Sequence, residues 1–597
     1  MLAVNSFRIL IFALTIILFF SCKPEDQETT SSLVELPNIV LIMTDDQGIG
    51  DFGFMGNPYI QTANLDKLAS ESLNLTNFYV SPVCAPTRAS LMTGRYSERT
   101  GIYDTFNGGA IMSADEVTIA EVLKEHGYRT GIFGKWHLGD NYPSRPIDQG
   151  FDEVLVHRGG GMGQPGDYLN FFAMDSSYFD PVLFHNGQPE QTKGYCSDIF
   201  TDGAIEFIKH HNSSGAEQPF FVYLSFNAPH TPLQLPQKYY NMYKDLEFDT
   251  DAFPIKPNAV PRMTEADKEA ARRVYGMVTN IDDNIGRLME VLKKENLEQN
   301  TIVVFLSDNG PQHVRYKLGL RKRKSSVYSG GVRVPCLIHY PAKYPGKQNL
   351  DIPLAHIDLF PSLLDLCGIN QPDHEIDGSS FVGERASNVF LDRTLFFEWG
   401  RGFLVKYRNF AALKGDYKLV GNTRADSELS DFELYHLKSD PYEERNRVEE
   451  DTIIASELKR GMDAWYEEII SAPNNNRLLP AFIGSEYENP TVLNRNDAKG
   501  TPVAWRQEDV LGYWDIKVVE TANYDVTLHF IEPISAPGNV HLKLYPLNFI
   551  QRNATNADQL KIENIELKQG EFKLETYYRT NKGEYIFPLY VSIKRLN

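Results

Sequence analysis

Asn38-Ile-Val-Leu-Ile-Met-Thr44, followed at once by Asp45-Asp46-Gln47-Gly48, is the stretch on which the fold turns. An unbroken apolar run without polar alternation is the pattern of a strand buried on both faces, as in a parallel sheet covered by helices. Two carboxylates at the exit of such a strand are costly unless something cationic meets them. The pattern recurs in Thr301-Ile-Val-Val-Phe-Leu-Ser307, which leads into Asp308-Asn309-Gly310. Either acidic exit alone could be a turn or a helix cap. Two at matching strand ends favour a metal, and Asp45, Asp46, Asp308 and Asn309 form an all-oxygen set suited to a hard divalent cation, Ca²⁺ before Mg²⁺. No Cys/His cluster has zinc spacing.

Two further strands deliver basic groups. Tyr128-Arg-Thr-Gly-Ile-Phe-Gly134 runs into Lys135-Trp136-His137-Leu138-Gly139, and Pro219-Phe-Phe-Val-Tyr-Leu-Ser225 precedes Ala228-Pro229-His230-Thr231-Pro232. Ligands of open α/β sheets bind at the carboxyl ends of the strands, so four functional strand ends imply one crevice. A lone His is more often structural than catalytic; two in strand-exit loops of one crevice favour function. From Arg315 to Lys324 the chain places six cations in ten residues, although it carries 79 acidic and 59 basic residues, net −20. A local positive patch against that global field would focus an anionic substrate.

Cys84-Ala-Pro86-Thr-Arg88-Ala-Ser-Leu-Met-Thr93-Gly94-Arg95 completes the set. This run resembles the C-x-P-x-R signature of the type I sulfatases of the alkaline phosphatase-like superfamily. The stretches around Lys135, His137 and His230 resemble that family's G-K-x-H and P-H-x-P blocks. Arg321 to Pro335 resembles L-R-x-x-K followed by Y-x-G-G-x-R-V-P. Lys322 and Arg323 depart from the family by standing where glycine is frequent, and Ser329 stands where an acidic residue is usual.

The resemblance implies that Cys84 is oxidised by a maturase to formylglycine (3-oxoalanine), whose hydrate attacks sulfur and is left sulfated. It implies Asp45, Asp46, Cys84, Asp308 and Asn309 at the metal, and Arg88 holding the nucleophile. Lys135 and Lys324 would bind sulfate, with Arg321 a further substrate contact; His230 would also touch substrate and protonate the leaving alcohol. His137 would take the proton that lets sulfate depart. An aldehyde hydrate can release sulfate, whereas Ser would keep it as a stable ester.

The implied fold is a mostly parallel α/β sheet sandwiched by helices over 37–385, with a smaller C-terminal α+β subdomain over 386–471. Ala411 to Leu419 and Glu433 to Pro441 resemble the strands of that subdomain. Alternating strands and helices in the first part agree. Composition shifts to Asn, Pro and Gly over 472–499, which reads as a linker. Period-2 alternation in Tyr524–Phe530, Val540–Leu544 and Leu589–Ile593 then makes 500–597 an appended β-sandwich. Its leading aromatics Trp505, Tyr513 and Trp514 are assigned to core packing ahead of sugar stacking.

Residues 1–22 read as a lipoprotein signal peptide. Ile9 to Phe20 is too short to span a bilayer, and Ser21-Cys22 resembles a lipobox, which implies lipidation of Cys22. Lys23-Pro-Glu-Asp26 resembles an acidic export tag, and 23–36 reads as a tether. The expectation is an envelope lipoprotein anchored in the membrane at the outer surface, with a periplasm-facing anchor as the alternative. Cys196, Cys336 and Cys367 are too few and too scattered for a disulfide framework. Nothing resembles a nucleic-acid reader.

The resemblance implies a sulfuric ester hydrolase acting on sulfated polysaccharide or its oligosaccharides, and the expectation of algal glycans ahead of glycosaminoglycans rests on similarity to bacterial ulvan-type enzymes alone. The alternatives are a phosphonate or phosphodiester hydrolase of the same superfamily and a non-catalytic glycan-binding surface lipoprotein.

Overall fold

The computed structural model describes residues 36–213, 218–254, 261–383, 390, 392–475, 477, 479–501, 505–553 and 557–596. Cys22, with the rest of the signal and tether, lies outside the described residues, as does the proposed boundary at 385/386.

The central sheet has ten strands: β1 (Asn38–Thr44), β2 (Leu73–Leu75), β3 (Arg129–Lys135), β4 (Glu153–His157), β5 (Val182–His185), β6 (Gln188–Gln191), β7 (Phe220–Ser225), β8 (Thr301–Ser307), β9 (Cys336–His339) and β10 (Gln348–Leu350). Their spatial order is β10-β2-β9-β8-β1-β7-β3-β4-β5-β6. The five from β8 to β4 run parallel, and every residue of β1, β7 and β8 is buried. The apolar runs form strands here because only a two-faced interior accepts them. Register then sets the chemistry: Thr44 pairs with Ser307, so Asp45 and Asp308 leave the sheet side by side. At the exit of β3, Gly134 (φ +122°) has room for no side chain, since a Cβ would lie 1.8 Å from the Ser225 carbonyl oxygen.

Helices cover both faces. The helix Glu265–Lys294 starts at a Thr264/Asp267 capping box and buries Val274, Val278, Ile281, Ile285, Leu288 and Leu292, the three-to-four-residue spacing of one helix face. The helix α1 (Cys84–Thr93) is different, because all ten of its residues are buried. It cannot be amphipathic, and its polar side chains must find partners inside.

The C-terminal subdomain is an antiparallel sheet of Thr394–Glu398, Phe410–Lys414, Tyr417–Gly421 and Glu433–His436. Leu458, Met462 and Trp465 of the helix Thr452–Ile470 cover one face. Tyr79, Val327 and Tyr328 of the large domain meet the other.

The C-terminal residues form two further antiparallel-rich sheets around Trp514, Ile516, Leu528, Leu542 and Val591. Burial alternates strictly along Gly512–Val518 and Gly538–Leu544, as their period-2 pattern requires. The 472–499 segment is not a linker. Ala481–Ile483 is an edge strand of one sheet and Thr491–Asn494 of the other, so the sandwich begins well before residue 500. Its polar composition, read as solvent-facing, is used internally. Arg495 is fully buried and donates to the carbonyls of Phe587 (2.7 Å) and Pro588 (3.0 Å). The same segment docks onto the large domain: Asn494 donates to Asp140, Asn141 to the Val492 carbonyl at 2.9 Å, and Tyr142 stacks on Tyr487 at 4.8 Å. No described helix is long and apolar enough to cross a membrane.

Candidate active site

The β1 and β8 exits meet as their register dictates. Asp308 Oδ1 accepts from the backbone N–H of Asp46 at 3.1 Å, and Asp46 is held at φ +62°. Asn309 Nδ2 donates to Asp46 Oδ1 at 2.8 Å. Cys84 opens α1 beside them, and one atom each of Asp45, Cys84 and Asp308 lie within 4.8 Å of one another. A second group within the same limit is Asp45, Asp46 and His230.

Three cations answer the three carboxylates. Lys135 Nζ lies 2.5 Å from Asp45 Oδ2 and Lys324 Nζ 2.5 Å from Asp46 Oδ1. Arg88, one turn into α1, donates to Asp308 Oδ2 at 2.9 Å, to the Ser225 hydroxyl at 2.5 Å and to the Lys135 carbonyl at 3.2 Å. Burial would raise the pKa of Asp45, but Lys135, His230 and Arg88 outweigh it and hold the carboxyl ionised. Asp308 is pushed up to about 7 by burial and then by Asp45, against the pull of Arg88. Burial raises the Cys84 thiol although Lys135 and Lys324 pull it down, so the unmodified side chain is a poor thiolate nucleophile.

The donor set fits a hard cation. Asp45 Oδ1, Asp46 Oδ2 and Asn309 Oδ1 are buried without a hydrogen-bond partner among the described residues. Orphaned buried oxygens are costly, and all three belong to the set a calcium or magnesium ion would use. A divalent ion would also turn a balanced cluster net positive, as an anionic ester requires.

Above this floor lies a cavity of about 670 Å³, lined by Cys84, His137, His230 and Lys324. His137 Nε2 donates to the Thr105 carbonyl at 2.8 Å, since a carbonyl only accepts, so Nε2 carries the proton and Nδ1 the lone pair. Burial, then Lys135, lowers its pKa well below the usual value, which keeps the ring neutral. Gly160 packs on this ring, where a Cβ would stand 2.8 Å from Nε2. His230 is oriented through Nδ1 to the Thr231 carbonyl at 2.7 Å, leaving Nε2 3.8 Å from Asp46. The Tyr178 hydroxyl fixes its backbone by donating to the His230 carbonyl at 2.7 Å.

Cys84, Arg88, Lys135, His137, His230, Lys324, Asp45, Asp46, Asp308 and Asn309 thus converge. Arg321 does not. It donates to the Tyr435 hydroxyl and to the Glu443 carbonyl (2.8 Å), and lies over the Tyr328 ring at 4.3 Å, away from the cavity. There its charge braces the loop that carries Lys324, and it does not line the cavity. The charge run is divided in the same way. Arg315 is spent on buried Asp51 (2.6 Å) and on the Asp46 carbonyl (2.9 Å), and only Arg323 and Lys324 reach the cavity. Sequence reasoning gave no role to Ser225, Thr105 or the outer-wall residues Phe106, Trp399 and Arg401, and it placed Trp505 in core packing ahead of sugar stacking. Trp514 does pack in the core, stacked on Phe587 at 5.1 Å, but Trp505 faces the cavity.

A family model described as "Sulfatase" matches residues 37–369, and one described as "N-sulphoglucosamine sulphohydrolase, C-terminal" matches 321–468. The chain is 30% identical to the N-acetylgalactosamine-6-sulfatase of Homo sapiens over 400 residues, 61% of this chain and 68% of that one. It is 32% identical over 350 residues to an ulvan-active sulfatase of Formosa agariphila, 56% of this chain and 63% of that one. Among solved structures, Ps i-CgsB in complex with k-i-k-neocarrahexaose superposes with a TM-score of 0.61 at 29% identity, over 74% of this chain and 94% of that one.

Proposed function

The chain belongs to the sulfatase family, whose model matches more than half of it, and from that premise we propose that it removes sulfate from sulfated polysaccharide or its oligosaccharides through Cys84 oxidised to formylglycine. It is a sulfuric ester hydrolase with a hard divalent cation, Ca²⁺ before Mg²⁺, held by Asp45, Asp46, Asp308 and Asn309 together with residue 84. When bound, the cation supplies Lewis-acid polarisation and charge screening. The observation that carries this reading is the meeting of Cys84 with Asp45 and Asp308 within 4.8 Å, beside three orphaned oxygens.

The residues then divide the work. Lys324 meets the sulfate at the cavity floor, while Lys135 and Arg88 neutralise the carboxylates beneath it. An anion bound there raises the proton affinity of His230 Nε2, which delivers its proton to the departing alcohol. The lone pair of His137 Nδ1 is the base that returns the oxidised residue 84 to its resting form. Both alternative functions have less support: a non-catalytic lectin would have no use for this complete and costly cluster of buried charge.

The relatives named for N-acetylgalactosamine 6-sulfate and ulvan, and the neighbour solved with a carrageenan hexasaccharide, support a glycan substrate for this chain. Anchoring through lipidated Cys22 at the cell surface would bring it to polymers too large for import. The deciding experiment is mass spectrometry of the peptide holding residue 84, expected to be lighter by about 18 Da after thiol-to-aldehyde conversion, paired with sulfate release by wild type and Cys84→Ala. Undiminished release by Cys84→Ala would remove the mechanism.

A further inference from the structure

The β-sandwich reaches into the cavity. Asn496, Trp505, Arg506 and Gln507 line its outer wall, facing Phe106 and Gln164 of the large domain and Trp399 and Arg401 of the subdomain. Both family models end by residue 468, so this part of the wall lies outside what the family match explains.

Two features give the wall a chemistry. Trp505 and Phe106 form an aromatic corner, with ring centroids 5.3 Å apart and planes at 49°. The charge is of one sign: Arg323, Lys324, Arg401 and Arg506 line the cavity, and among the described residues no Asp or Glu does. Arg401 lies over Phe106 at 4.6 Å and over Trp399 at 4.9 Å, with Asp104 behind it at 2.8 Å; Arg506 lies over Trp505 at 5.1 Å. Neither Arg323 nor Arg506 has an ion pair among the described residues.

Flat aromatic faces suit the C–H face of a pyranose, and unpaired guanidinium groups suit a carboxylate or sulfate. The wall is also held in place. The Gly108 N–H donates to the Asn496 carbonyl at 3.0 Å, which ties the Phe106 loop to the sandwich, and a side chain at Gly108 would collide with Lys499.

We infer that Trp505 and Arg506 of the β-sandwich, with Phe106 and Arg401, form a subsite for a second, negatively charged sugar next to the one that loses its sulfate. The inference rests on the sulfatase reading for what lies beside the subsite, and it makes the sandwich a determinant of specificity. Contacts remote from the reacting bond supply binding energy to the transition state, so their loss falls on extended substrates.

The test uses the full chain as wild type, Trp505→Ala, Trp505→Phe and Arg506→Ala. Sulfate release is measured from sulfated tetrasaccharides of ulvan, carrageenan and chondroitin, and from 4-nitrophenyl sulfate. For Trp505→Ala, the ratio of kcat/KM on the best tetrasaccharide to that on the aryl ester should fall about tenfold or more. Trp505→Phe should keep most of that ratio, and Arg506→Ala should weaken uronate- or sulfate-bearing neighbours selectively. Equal losses on both substrate types, or no loss, would overturn the subsite. Calorimetry of the same tetrasaccharides on Cys84→Ala, with and without Trp505→Ala, separates the two readings. If wild type released no sulfate, the proposed activity would fail while a Trp505-dependent affinity still upheld the subsite; identical affinities would overturn it.

Discussion

Glu443 offers the sharpest quantitative test of how the Lys324 loop is held. Glu443 and Lys418 are both wholly buried, with Lys418 Nζ 2.8 Å from Glu443 Oε1. The other carboxylate oxygen accepts from the Ser329 N–H at 2.8 Å. Glu443→Ala strands an ammonium whose pKa burial already lowers despite its partner, and leaving a buried charge unpaired costs about 3–5 kcal/mol. The double variant Glu443→Leu/Lys418→Met removes both charges. Only the Ser329 N–H then lacks an acceptor, at about 1–3 kcal/mol, so the double variant should recover roughly 2 kcal/mol of what the single one loses. Urea unfolding midpoints of wild type, Glu443→Leu, Lys418→Met and the double variant give the coupling directly, with Glu443→Ala measured beside them. Activity should not recover with stability, because Ser329 has lost its anchor. A double variant no more stable than Glu443→Ala, or one with full activity, would refute the reasoning.

Asp45→Ala should lower kcat roughly a hundredfold or more, chelation should mimic it, and Ca²⁺ should restore the wild type; recovery by Zn²⁺ alone would count against the oxygen donors. Glu398 is buried and hydrogen-bonded to Glu98, and burial followed by that neighbour raises its pKa well above the usual 4.5. The native state therefore keeps a proton that the unfolded chain releases, so stability is full below about pH 4.5 and falls as pH rises towards the native pKa. Glu398→Gln, neutral throughout, should gain on wild type in unfolding midpoint between pH 5 and pH 8, and a constant difference across that range would argue against it. Cys22→Ala should move the enzyme from the membrane fraction to the soluble one with unchanged activity; a variant that stays with the membrane would dismiss the lipid anchor.

The catalytic floor was legible because strand exits are punctuated. Each apolar run stops at the residue that turns functional, and Asp45, Asp308, Lys135 and His230 stand where β1, β8, β3 and β7 or their exit loops end. The place of Arg321 outside the cavity was not legible because charge density says nothing about direction: its guanidinium stacks on Tyr328 and Tyr435, which come together only in the fold. The docking of the sandwich was hidden for a related reason. Asn494, Arg495 and Asn496 look like linker residues until carbonyls from Phe587, Pro588 and the Asp140 carboxylate are brought to them. Polar composition predicts exposure only where no distant partner arrives.

The complete burial of α1 sets an order of events. Cys84 is 2% exposed, and all ten residues of its helix lie inside the fold. A small solute can reach the thiol through the cavity, but another protein's active site cannot close around a helix with no outer face. If Cys84 is oxidised as proposed, a maturase that reads Cys84, Pro86 and Arg88 as a peptide would have to act on the nascent or exported chain while this segment is still extended. On that reading folding would end the opportunity, and a chain that folded first would stay an inactive thiol species that later exposure to the maturase should not rescue. The yield of active enzyme is then decided by a race between two rates, and slowing the folding of the N-terminal half should raise it.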